Sequence, residues 1–260
     1  MELSADYVIV GAGSAGCALA RRLADTGASV VLLEAGGSDR SRLVRKPGMV
    51  AVMHSVPQAK KRVAWDHYST PQTDAMNRAI PQPHGKLLGG SSSINGMLFV
   101  RGNRQNYDDW AAEGNTGWSY DDVLPSYRRM ENWEDGANDF RGAGGPVQVT
   151  RSKDLTVASQ RFVEAFAQTA GIKQVDDYNG AEQEGAGAFQ QSTYRGLRYS
   201  SSVAYLDDHN LPNLHVETGV TVSKVVLENG RATAVQVLTK QGPRRIRATR
   251  EIVLSAGVYG

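Results

Sequence analysis

Residues 6–16 read Asp6-Tyr7-Val8-Ile9-Val10-Gly11-Ala12-Gly13-Ser14-Ala15-Gly16. An apolar, β-branched run at 6–10 is cut off by glycine, which is the pattern of a strand buried on both faces. The Ala- and Leu-rich stretch 14–26 predicts a helix with Cys17, Ala20, Leu23 and Ala24 on its inner face and Arg21, Arg22 and Asp25 outside. Gly27 stops it, and residues 29–33 (Ser29 to Leu33) predict a second buried strand. Strand, helix and strand in this order imply a parallel sheet. The glycine pattern G-x-G-x-x-G therefore stands between a strand and a helix, and each glycine has a task there. Gly11 permits the tight turn, Gly13 opens the backbone to a pyrophosphate, and Gly16 lets helix and strand pack closely. The helix N-terminus then faces the anion. Glu34 closes the second strand, 18 residues after Gly16. A carboxylate there suits the ribose hydroxyls of an adenosine and repels a 2′-phosphate, which disfavours NADP. NAD and FAD both carry ADP, so this unit does not separate them.

Working outward, residues 35–83 are expected to be irregular, because Pro47, Pro57, Pro71, Pro81 and Pro83 forbid long elements. Helices are predicted over 105–113 and 120–133, with Trp110, Leu124, Tyr127 and Met130 facing inward, and over 155–171, closed by Gly171. The charged residues of 121–153 read as a solvated face. Strands are predicted at Leu214–Val216, Val220–Leu227 and Ala232–Leu238, with a turn at 228–230, and from Arg250 to Ala256.

The composition sets the class. Apolar residues make up 40% and charged residues 22% of the 260, which excludes a fibre, a disordered tail or a membrane bundle. The balance of 29 basic against 27 acidic residues gives +2, so no strong field calls for nucleic acid or an anionic surface. A lone cysteine, Cys17, excludes an internal disulfide and a thiolate zinc cluster, and no metal site is expected. No run approaches the ~20 apolar residues of a membrane-spanning helix, and the N-terminus lacks the basic region of a signal peptide. These features point to a cytoplasmic location.

A second constellation lies at 85–108, GKLLGGSSSINGMLFVRGNRQNYD. Gly89-Gly90 and Ser91-Ser92-Ser93 supply amide and hydroxyl donors, Asn95-Gly96 an amide side chain and another bare backbone, and Met97, Leu98 and Phe99 an apolar wall. Donors beside an apolar wall suit a flat heteroaromatic ring such as flavin. This segment resembles the first signature of the glucose-methanol-choline (GMC) oxidoreductase family. It has a small-basic-x-aliphatic-Gly-Gly opening at Gly85 to Gly90, then Ser91-Ser92, Ile94 and Asn95, and an aromatic, a small and a polar residue at Phe99, Gly102 and Asp108. The GAGSAG opening, Trp65-x-x-Tyr68-x-Thr70-Pro71-Gln72 and the closing Ile252 to Gly257 strand extend the resemblance over essentially the whole chain, and the GSAGC and NGM stretches point to its choline-dehydrogenase-like branch.

The resemblance implies an α/β fold: a Rossmann-like FAD-binding domain with a parallel sheet and a β-meander, plus the incomplete start of an α+β substrate domain. The expected division is 1–150 for the FAD-binding domain, 151–211 for the partial substrate domain, and 212–260 for the return. It implies FAD, held without a covalent bond, and oxidation of an alcohol CH–OH group by hydride transfer to flavin N5. Gly11, Gly13, Ser14, Ala15 and Gly16 would hold the pyrophosphate, Glu34 and Ala35 the ribose, and Val222 the adenine. Trp65, Gly89, Gly90 and Ser92 would lie along the cofactor. Asn95, Gly96, Met97 and Leu98 would pass the isoalloxazine, with Ala256 and Gly257 closing the site. Some members attach FAD through a histidine immediately before the signature asparagine; here Ile94 stands there, and His84 is the nearest imidazole. The substrate region is expected from 47–83 and 151–211. Trp65, Tyr68, Trp110 and Trp118 are the aromatic candidates for it, without choline itself being implied.

Members are roughly twice this length, and their catalytic His–His or His–Asn pair lies in the C-terminal half. No histidine here (His54, His67, His84, His209, His215) matches that base, so no catalytic residue is assigned and all five are read as structural or exposed. The expectation is the N-terminal part of a flavoenzyme. The alternatives are a non-catalytic flavin-binding protein, a hydroxynitrile-lyase-like FAD protein and an NAD-dependent Rossmann enzyme. The electron acceptor stays open between oxygen, a quinone and another carrier.

Overall fold

The computed structural model describes residues 3–207, 211–239 and 242–259. The chain divides into two compact units, residues 1–96 with 200–260, and residues 97–199. These cuts differ from the sequence-based boundaries at 150 and 211.

The first unit is built on one six-stranded sheet. Strand β1 (Leu3–Val10) leads through the glycine turn into helix α1 (Ser14–Asp25) and back through β2 (Val30–Glu34). The chain returns as β3 (Leu214–Thr218), β4 (Thr221–Glu228), β5 (Arg231–Thr239) and β6 (Gly242–Leu254). The sheet order is β3-β2-β1-β6-β5-β4. β3, β2, β1 and β6 run parallel, and β6, β5 and β4 form an antiparallel meander. The structure is thus α/β with a mixed sheet. β6 is long enough to serve both parts, pairing with β1 on one edge and with β5 on the other. Asn229 (φ 52°) and Gly230 (φ 78°) close the β4–β5 hairpin, as a primed turn requires positive φ at both central residues.

The core sits where the two parts of the sheet meet. Val8, Val31, Leu33, Val235, Val237 and Ile246 are buried together. Every residue of β2 is buried, which is why its sequence shows no polar alternation. Each such aliphatic side chain contributes about 2 kcal/mol of burial.

The stretch expected to be irregular holds short helices at Arg42–Arg45, Val50–Ser55 and Pro57–Val63. Proline does not forbid them, because Pro57 occupies the first helical turn, where its missing N–H has no partner to lose. Val44, Met53, Val63, Leu87 and Ile94 form their common core. Buried Asp39 accepts hydrogen bonds from Ser200 Oγ at 3.0 Å and Ser202 Oγ at 2.6 Å, tying the returning chain to this segment.

In the second unit the helices span Arg104–Ala112, Tyr120–Met130 and Val157–Ala170, the last capped by Gly171. The second ends before 133, because Glu131–Trp133 is extended and pairs in parallel with Val147–Arg151. Trp110 does not face inward. It is exposed and packs edge-on against exposed Trp118, while Tyr107 and Tyr120 are the buried aromatics and Tyr107 Oη meets Tyr127 Oη at 2.5 Å. Most of the charged residues of 121–153 are exposed, as expected, with two exceptions. Glu131 and Arg141 are both fully buried, because their charges satisfy each other. Arg141 donates to Glu131 Oε1 (2.9 Å) and Oε2 (3.1 Å), Asp177 (2.8 Å) and Gln190 (2.9 Å), and Arg101 donates to Glu131 at 2.6 Å. Burial raises the Asp177 pKa, but hydrogen bonding to Gln190 and the Arg141 charge outweigh it and hold the carboxyl below its ordinary value.

The close approach of helix to strand is fixed at Gly16, where an added Cβ would lie 1.9 Å from Gly11 O. Gly27 has positive φ (+85°) but open space around it. Urea unfolding should therefore show Gly16→Ala losing about 3 kcal/mol and Gly27→Ala only about 1 kcal/mol. Equal losses would mean that helix–strand contact does not limit this position.

Candidate functional site

The first unit encloses a cavity of about 670 Å³ at the C-terminal ends of β1 and β2, where open α/β sheets bind ligands. It is of ordinary size for a small-molecule site (~300–1,000 Å³). Three stretches of bare backbone meet there. At the first, Gly11 has φ +95°, and an added Cβ would lie 2.6 Å from Ser255 O. Ser255 N donates to Val10 O at 2.8 Å, and Ser255 Oγ lies within 2.8 Å of Gly11 O. The end of β6 is thereby clasped under the turn. At the second, a Cβ on Gly90 would lie 2.8 Å from Gly13 Cα. At the third, a Cβ on Gly85 would lie 2.2 Å from Gly90 C and O and 2.6 Å from Ser91 N. Side chains would hold these segments apart.

Gly13 differs from its neighbours. A Cβ there meets nothing closer than Ser255 O at 4.0 Å, so the space beside it is cavity. It is the N-cap of α1, without a side-chain cap and with no acidic residue in the first turn. Ser14 and Ala15 follow, exposed to the cavity. Uncapped amides and the positive end of a helix facing open space are suited to an anion.

Buried Glu34 lies beside it. Its Oε2 accepts from Ala12 N at 3.0 Å and its Oε1 from Gly36 N at 2.8 Å. Burial pushes its pKa up, while those backbone bonds and the Lys86 charge pull it down. A carboxylate has about four lone-pair sites, and the Ala12, Gly36 and Ala35 amides do not use all of them. Val220, whose N donates to Glu34 O at 3.0 Å, and Val222 form an adjacent apolar wall.

Of the residues expected from sequence, Gly11, Gly13, Ser14, Ala15, Glu34, Ala35, Trp65, Gly90, Val222, Ala256 and Gly257 line this one cavity. Gly16 and Gly89 lie behind it: Gly16 packs on Gly11, and Gly89 N donates to Ala12 O at 2.8 Å. Ser92 Oγ donates to Gly89 O at 2.6 Å and accepts from Ser201 N at 2.9 Å, so it braces the loop. Asn95 and Gly96 are exposed and not among the lining residues; Met97 and Leu98 belong to the second unit. Ser91, read from the sequence as a donor of the cradle, lines the cavity too; sequence reasoning did not assign Ser255, His67, His84 or Tyr259, which also line it. The Ser-Ala-Gly run after the last strand pattern was the available signal for Ser255. His54 instead bonds Ile94 O (2.8 Å), His215 is exposed, and His209 lies outside the described residues.

Together the sheet topology, the glycine turn and the terminal carboxylate define an α/β protein with the arrangement of a dinucleotide-binding fold. The profile of the family described as GMC oxidoreductase matches residues 5–259. The chain belongs to that family. It is 43% identical over 259 residues to the oxygen-dependent choline dehydrogenase of Sinorhizobium medicae, covering 99% of this chain and 46% of the relative. It is 41% identical over 264 residues to that of Photobacterium profundum, covering 100% and 46%. The chain thus spans about half the length of these curated relatives. Among solved structures, pyridoxine 4-oxidase from Mesorbium loti superposes with a TM-score of 0.89 at 28% identity, over 97% of this chain and 49% of that one. An FAD-dependent oxidoreductase from Chaetomium thermophilum gives 0.87 at 26%, over 97% and 45%.

Because Gly13 borders open space, Gly13→Val should lower the unfolding free energy measured in urea by less than about 1 kcal/mol. It should weaken an ADP-bearing dinucleotide at least tenfold in a titration. Unchanged affinity in a folded variant would remove the anion site from Gly13.

Proposed function

We propose that this chain is the FAD-binding portion of an oxidoreductase that oxidises the CH–OH group of an alcohol. The carrying observation is the cavity itself. Its uncapped helix N-terminus, bare Gly13 and Gly90 backbones and buried carboxylate match, in order, a diphosphate and a ribose. In this reading Gly13, Ser14 and Ala15 bind the diphosphate and Glu34 the ribose hydroxyls, while Val222 packs beside adenine. The family signature further assigns Asn95, Gly96, Met97 and Leu98 to the flavin ring. FAD, when bound, supplies the hydride acceptor. The names of the curated relatives support an alcohol as substrate and oxygen as acceptor.

Attachment is non-covalent in this proposal. Ile94 occupies the position of the attaching histidine and is buried against Val44, Met53 and Leu87. A cytoplasmic setting belongs to the same proposal. It is supported by the lone Cys17, which is buried with its thiol pushed up to about 12 and is thus inert. Among the described residues no helix is long and apolar enough to cross a membrane.

The full-length protein should purify yellow with a flavin spectrum, and acid precipitation should leave the colour in the supernatant. Colourless protein that takes up no flavin would overturn the proposal, and a yellow pellet would overturn the non-covalent part. Glu34→Gln should weaken FAD about tenfold. Glu34 binds the ribose hydroxyls as a carboxylate, and its pKa is raised, so acidification neutralises it early and affinity should fall with pH. The Gln variant should lose that acid-side fall; a variant titrating like the parent would place the ribose elsewhere.

A further inference from the structure

We infer that His84 is a positioning residue that draws the diphosphate of the cofactor into the cavity by carrying a proton on Nε2 when the anion is bound. This rests on the flavin reading above and adds a pH-dependent hold to the same site. Three observations place it there. His84 precedes Gly85, whose backbone lies against Gly90 and Ser91, and Gly90 in turn lies against Gly13, the N-cap of α1. Consecutive backbone contacts thus bring the segment that carries His84 to the cavity that Gly13, Ser14 and Ala15 also line. Its imidazole lines the cavity and packs edge-on against Tyr259 at 4.6 Å between centroids. Its Nδ1 lies 2.9 Å from Gln82 O. A carbonyl only accepts, so Nδ1 carries the hydrogen and the neutral ring presents Nε2 as an acceptor. An acceptor repels phosphate oxygens, and a protonated Nε2 donates to them. Binding of the anion therefore favours uptake of one proton by His84.

The other titratable groups lining the cavity are His67, 6.1 Å from His84 between centroids, Tyr259 and Glu34, and Lys86 lies over the lining Trp65 ring at 3.9 Å. Glu34 acts with the opposite sign, since its carboxylate is the binding form and is lost in acid. His67 is the one group that could mimic His84, so it needs its own variant.

The test is FAD affinity of the full-length apoprotein from about pH 6 to pH 8.5, followed by quenching of flavin fluorescence, with ADP as a competing probe that carries the diphosphate alone. The parent should bind both ligands about tenfold more weakly at the alkaline end. His84→Gln should be flat and weak across the range. His84→Arg, with a permanent charge, should be flat and tight, which also shows that a substitution here folds. His67→Gln should keep the parental slope. The inference is overturned by a parent without slope, by a His84→Gln profile parallel to the parent, or by a slope that vanishes in His67→Gln instead. Failure of the parent to bind FAD at any pH would be a different result, since it removes the flavin reading itself.

Discussion

Main chain lying against main chain is the constraint on which the rest of the first unit depends. Gly11 rests on Ser255 and Ala256, Gly16 on Gly11, Gly90 on Gly13, and Gly85 on Gly90 and Ser91. None of these contacts leaves room for a Cβ, so one loop from each of three distant segments is drawn to the same point. The hydroxyl of Ser255, reaching Val10 O and Gly11 O, joins the last strand to the first turn. What the contacts leave over is a cavity lined in part by bare backbone and in part by apolar side chains, with one helix N-terminus and one buried carboxylate facing it. Such walls carry partial charges fixed by the fold, so binding an anion there requires little reorganisation.

The second unit solves a different problem. Beside buried Trp133 and Val149, its interior holds a network of Arg101, Glu131, Arg141, Asp177 and Gln190. A buried network of this kind stabilises little when complete and costs ~3–5 kcal/mol when one partner is removed. It fixes the geometry of that unit more than it adds stability. The sheet of the first unit buries aliphatic side chains, and the second unit adds a buried charge network to its apolar residues.

Legibility followed the range of the interactions. Strands β1 and β2, helix α1, the Asn229-Gly230 turn and the buried β2 run were readable because period, glycine position and turn chemistry are local. Glu34 was readable because its spacing from Gly16 is set by one helix. Ser255 was not assigned, since its partners lie 244 and 245 residues away. The burial of Glu131 and Arg141 was missed for the same reason: charge in a sequence looks like surface until its partner, here Asp177 or Gln190, is placed beside it. His67 and His84 escaped because single imidazoles carry no periodic signal, and Trp110 was misplaced because a helix face shows which residues align and not how deep each one sits.

The central claim is that residues 11–15, 34–35, 85–91, 220–222 and 255–257 together surround one dinucleotide. Amide hydrogen exchange of the full-length protein, compared with and without FAD, tests it most directly. The account predicts that protection on binding concentrates in those five segments. Protection confined to other segments, or none at all with FAD bound, would contradict it.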